Sequence, residues 1–138
     1  MRLAKIVFIV AGVWGIVVLM PLFFLFDVTG RPYAPPTDYP QFFYGFLCVA
    51  MAWQVAFLVI GSDPGRFRLL MIPSMIEKFS YVATLIVLRG QARISNMDAS
   101  AAVPDFLLGL LFIAAFVSTS TADPKTDVTR QSERAPRP

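Results

Sequence analysis

Residues Phe67 to Leu88 read FRLLMIPSMIEKFSYVATLIVL, an apolar run broken near its middle by an adjacent acid and base, Glu77 and Lys78. Each half alone is about ten residues, too short for a helix to cross the ~30 Å hydrocarbon core of a bilayer, whereas the whole is long enough. Either the run is one span with two charges at mid-depth, or it never crosses. The rest of the chain arbitrates.

Three further runs surround it. Ile6 to Phe26 (IVFIVAGVWGIVVLMPLFFLF) and Tyr39 to Gly61 (YPQFFYGFLCVAMAWQVAFLVIG) carry no charge. Val103 to Thr121 (VPDFLLGLLFIAAFVSTST) carries only Asp105, placed in the first turn where a helix dipole favours a carboxylate. The first run is longer than the ~7–15-residue core of a secretory signal, and no small-x-small site follows it, so it reads as a retained helix. Apolar types make up 57% of the 138 residues and charged types 15%. A soluble domain usually carries about 25% charged residues, so this chain lacks the polar surface to meet water on all sides.

Charge distribution then chooses between three spans and four. With four, one side of the membrane holds Arg2, Lys5, Arg66, Arg68, Lys125, Arg130, Arg134 and Arg137, and the other holds Arg31, Arg89 and Arg93. With three, the split is nearly even. The positive-inside rule favours the asymmetric arrangement. The expected fold is an all-α integral membrane four-helix bundle of up-down topology, spans about 6–26, 39–61, 67–88 and 103–121, both termini cytoplasmic. The Pro-rich stretch Asp27 to Asp38 and the stretch Gly90 to Ala102 become external loops. Asp123 to Pro138 holds too little apolar area to offset its chain entropy and reads as a disordered cytoplasmic tail.

Function classes fall away by residue type. There is no histidine and one cysteine, Cys48, which reads as a small buried hydrophobe. Histidine-based catalysis, a metal centre, CxxC redox chemistry and an intrachain disulfide are therefore not expected, nor is any cofactor. A net charge of +3 is too small and scattered for nucleic-acid binding.

What remains is polar chemistry inside the membrane, where a charged side chain costs about 2.5–3.5 kcal/mol on insertion scales and marks a candidate site. Ser74, Glu77, Lys78 and Tyr81 follow i, i+3, i+4, i+7 spacing, one face of a helix. Pro73 is expected to kink that helix beside the charges. The short turn at Pro64–Arg66 should make the second and third helices antiparallel neighbours, with Gln54 level with Glu77 and Trp53 level with Lys78. As sequence neighbours, Glu77 and Lys78 point about 100° apart and should not face each other. Ala11 and Gly15 form a small-xxx-small step that permits close packing.

The motifs FFYGF (Phe42 to Phe46), AWQ (Ala52 to Gln54) and PSMIEK (Pro73 to Lys78), in a four-span layout, resemble small bacterial membrane proteins of the broad DoxX-like kind. The resemblance implies a four-helix architecture in a bacterial inner membrane; it transfers no catalytic residue.

The leading expectation is an accessory or binding protein whose mid-membrane cavity, lined by Trp53, Gln54, Ser74, Glu77, Lys78 and Tyr81, holds a lipid-like or quinone-like molecule or docks a partner helix. Its partners would be membrane lipids, a hydrophobic small molecule, a second copy or a membrane complex. Two alternatives stand beside it. In one, Glu77 is the acid or base of a membrane enzyme or proton-linked carrier. In the other, Glu77 and Lys78 only fix helix register. The span count itself is testable. With Cys48 replaced by serine, cysteines introduced at Arg66 and at Arg93 should label from opposite faces of sealed vesicles; labelling from one face rejects four spans.

Overall fold

Uncharged runs rich in Leu, Val, Ala and Ile offer the backbone no competing polar side chains, and the chain takes them up as helices. The computed structural model describes residues 1–24 and 40–120. Four long helices run through them: α1 (Arg2–Leu19), α2 (Pro40–Ser62), α3 (Met71–Gly90) and α4 (Ala102–Ser120). With their flanking turns, the segments Arg2–Phe24, Gln41–Ser62, Arg68–Gly90 and Asn96–Thr119 are each long and apolar enough to cross a membrane. At 1.5 Å per residue they extend about 33–36 Å. The expected loop at 27–38 and tail at 123–138 lie outside the described residues.

The helix ends have local causes. α1 stops at Leu19 because Pro21 has no N–H to donate and its ring crowds the preceding turn; the chain re-forms as a short turn, with Phe24 N–H donating to Pro21 O at 3.0 Å. Between α2 and α3 the Asp63 carboxylate accepts from Arg66 N–H at 3.2 Å, and a 3₁₀ turn at Arg68–Leu70 leads into α3. Pro73 therefore stands in the first turn of α3, where its missing donor costs nothing. Pro73 interrupts no helical turn beside Glu77: the helix is continuous from Met71 to Gly90, and the break in the helical path lies upstream, at the 3₁₀ turn. Beyond α3 the stretch read as a plain loop contains a one-turn helix, Asn96–Ala99, held by a reciprocal capping box between Ser95 and Asp98.

Small residues decide which helices meet. A Cβ at Gly61 would come within 2.7 Å of Ile9, and one at Gly12 within 2.8 Å of Leu58. These contacts fix α1 and α2 as an antiparallel pair at backbone-to-side-chain distance. α3 and α4 pair antiparallel as well. A Cβ at Gly109 would come within 2.9 Å of the Phe79 ring, and the Arg68 guanidinium lies 4.0 Å from the Phe116 ring centroid. α1 joins the two pairs by packing on α4, with Phe8 stacked on Phe112 at 4.3 Å. α2 and α3 hardly touch, so the expectation that the short turn makes them close neighbours is corrected. Glycines choose the partner here, not loop length.

Packing is one-sided along the helix axes. Phe8, Phe57 and Phe112 form a fully buried ring cluster, joined by Ala4, Ile60, Met71 and Ala115. On α1 no residue beyond Gly12 is buried, on α3 none beyond Val82, and on α4 none before Gly109. The bundle is closed at the end holding the α2–α3 turn and loose at the other. Most of its outward surface is apolar: Trp14, Val17, Phe42, Ile76 and Ile86 are each more than half exposed. Cys48, expected inside, is also exposed, because Leu47 takes the inward position on that turn.

At the loose end, α3 terminates in a Schellman motif. Arg93 N–H donates to Leu88 O and Ala92 N–H to Arg89 O, both at 3.0 Å. The motif needs a left-handed residue, and Ala92 supplies it at φ 55°, where a Cβ crowds the following carbonyl. Ala92→Gly should stabilise the fold by about 1 kcal/mol, read as a shift in the denaturation midpoint in mixed micelles; an unchanged or lowered midpoint contradicts the strain.

Candidate functional site

α3 places Lys78 on the face turned into the bundle, and its side chain is only 8% exposed. A buried ammonium must be paired, and this one is paired twice. Its Nζ stands 2.6 Å from Asp105 Oδ1 on α4 and 3.2 Å from Glu77 Oε2. It also donates to Glu77 Oε1 at 3.4 Å, which leaves Oε2 buried with charge nearby but no hydrogen bond. On its third side the ammonium lies 5.4 Å from the centroid of Phe57, a cation–π contact and a direct link from α3 to α2.

Three expectations change here. Glu77 and Lys78 do meet, because the long lysine stem bends back towards its neighbour. Lys78 faces Phe57 and not Trp53, one helical turn away, since the chain runs on through Phe67 before the helical path resumes and shifts the register. Asp105, read as a dipole partner at the start of the last helix, is the closest counter-ion of Lys78. The antiparallel packing of α3 on α4 brings it there, and sequence spacing within one helix could not. A signal was present: a carboxylate inside an apolar run needs a cation, and Lys78 is the basic residue that lies near the middle of a span rather than at its end.

Above this cluster a cavity of about 450 Å³ opens between all four helices. Its polar lining is Gln54, Glu77, Lys78, Tyr81 and Asp105; Trp14, Val18, Phe46 and Leu108 are among its apolar walls. Of the six expected site residues, Gln54, Glu77, Lys78 and Tyr81 line it. Ser74 does not: it is fully buried below, its hydroxyl donating to Leu70 O at 2.7 Å. Nor does Trp53, which packs half-buried on the Phe57 ring at 6.1 Å. Gly15 makes the fourth wall possible, since the Gln54 carboxamide occupies the space a Cβ there would need. Gln54 is 5% exposed, and one amide N–H donates to Ala50 O at 3.2 Å rather than to Glu77.

The cavity's walls are apolar and its floor is a charged cluster, a form suited to a molecule with an apolar body and a polar end. Among the described residues, no three His, Cys, Asp or Glu side chains converge on a metal position. No known protein family, curated protein or solved structure matches the chain.

The ion cluster predicts a signature in mutant energetics. Removing the shared cation leaves two carboxylates without a partner in a poorly hydrated place, whereas neutralising all three removes cost and gain together. Lys78→Met alone should destabilise by about 3 kcal/mol, and adding Glu77→Gln with Asp105→Asn should recover most of that. Equal stability of the single and triple variants, measured by unfolding in micelles, rejects the cluster as a unit.

Proposed function

We propose that the chain is a multi-pass membrane protein whose central cavity binds a lipid-soluble molecule with a polar head, and that both termini face the cytoplasm. The membrane assignment is supported by four apolar helices whose outward faces are richer in exposed Val, Ile, Phe and Trp than water tolerates. The orientation rests on the excess of Lys and Arg at the closed end of the bundle, where Arg2, Lys5, Arg66 and Arg68 gather.

The single observation carrying the binding reading is the cavity itself, lined by all four helices and floored by Glu77, Lys78 and Asp105. A role confined to fixing helix register needs a filled site, because a void forfeits the contacts of every residue around it. Access also favours a lipid-soluble occupant. α2 and α3 both line the cavity yet scarcely touch, so the seam between them opens sideways, into acyl chains once the bundle is in a bilayer. The ligand then brings its apolar body against Trp14 and Phe46 and its head to the floor.

Native mass spectrometry of protein extracted in mild detergent tests this. The wild type should retain a small-molecule adduct, and Ala50→Trp, which fills the cavity from α2, should lose it. Cys48→Trp, on the exposed side of the same helix, is the control and should keep it. An adduct that survives Ala50→Trp sinks the cavity as its seat.

A further inference from the structure

The open valences of the site are unequal, and their inequality points to a ligand class. Lys78 has none to give: its ammonium is held by Asp105, Glu77 and the Phe57 face, and its side chain is 8% exposed. The carboxylates are less fully used. Asp105 Oδ1 meets Lys78, and no partner holds its other oxygen among the described residues; Glu77 Oε2, buried 3.2 Å from the same ammonium, has no hydrogen bond. Both side chains remain about a quarter exposed, and both line the cavity. Gln54 is an independent sign. It is 95% buried, turned to the same void, and its carbonyl oxygen has no hydrogen-bond partner among the described residues. Its second N–H and the Tyr81 hydroxyl are the uncommitted donors in the group.

We propose that the head group bound there is cationic, an ammonium or guanidinium carried on an apolar body. This deepens the preceding reading and rests on it. Two carboxylates against one ammonium give a formal charge of −1 at the floor of a cavity with apolar walls. In such surroundings an unbalanced charge is costly, and a second cation beside Glu77 and Asp105 balances it while donating to the open Asp105 oxygen. An anionic head would face two carboxylates with the only cation already enclosed. A quinone, whose ring oxygens only accept, would find neutral donors in Gln54 and Tyr81 but would bring nothing to balance the charge.

Chain-matched probes separate head from body: dodecylamine, dodecanol and dodecanoate, titrated separately onto the detergent-solubilised full chain and read by native mass spectrometry. The amine should bind roughly tenfold or more tightly than either other probe, the weight of one charge-assisted hydrogen bond. Asp105→Asn should erase the preference for amine over alcohol while leaving alcohol binding in place. The comparison of probes on the wild type needs no variant to fold. Equal binding of amine and alcohol overturns the inference, assigning the balancing charge to a proton on one carboxyl. Tighter binding of dodecanoate overturns it by showing Lys78 to be available. In both cases the cavity reading survives. Binding of none of the three overturns the cavity reading, and the inference with it.

Discussion

The ammonium of Lys78, 2.6 Å from Asp105 and 3.2 Å from Glu77, constrains more of this structure than any other group because it has nowhere else to go. Buried on a helix with no other charge between Met71 and Leu88 except its neighbour Glu77, it sets the rotation of α3 about its own axis. Its bond to Asp105 then sets the height of α4 against α3, and its approach to Phe57 ties both to α2. Packing among Leu, Val and Ile alone would leave several rotations of nearly equal energy. One charge that must be matched on two sides removes that degeneracy. Buried polar groups are best attested in this registering role.

Size contrast does the complementary work. At the closed end, glycines at 12, 61 and 109 let neighbouring side chains approach the backbone, and three phenylalanine rings fill the centre. Among the described residues at the loose end, a Cβ at Gly45 or Gly90 would touch nothing within 4 Å. The helices accordingly come together at one end and stand apart at the other. The charged cluster marks the boundary. Most of the buried core lies below it, and the cavity lies above. The position of the cavity follows from where the glycines are.

How much of this could be read from the residues alone depends on the range of the interaction involved. The four runs, the turn at Asp63–Pro64–Gly65 and the polar face Ser74–Glu77–Lys78–Tyr81 are local patterns, and each is found where periodicity or turn chemistry puts it. The partners of that face are not local. Gln54 is legible as polar and at similar depth, but its neighbour is Gly15 on α1, and loop length does not set helix adjacency. Asp105 was visible only as a first-turn carboxylate, because nothing within α4 says that α3 is beside it. Ser74 shows the opposite error: it shares the polar face by spacing, yet its hydroxyl is satisfied by its own helix one turn back. Spacing tells which way a side chain points, not how far the cavity reaches.

The cluster also argues against a purely structural account of itself. A trio of apolar side chains of similar volume would hold α3 to α4 without the desolvation cost of three charges, and such replacements are often neutral or stabilising. Register could be fixed more cheaply still by a single neutral hydrogen-bonded pair. What neither alternative provides is a pair of carboxylates lining a chamber that all four helices build. Two acids sharing one base is an arrangement that holds the helices and keeps negative charge in reserve. The structure is firm where Lys78 meets Asp105, and the cation we propose for the cavity above would complete the charge balance that this pairing leaves open.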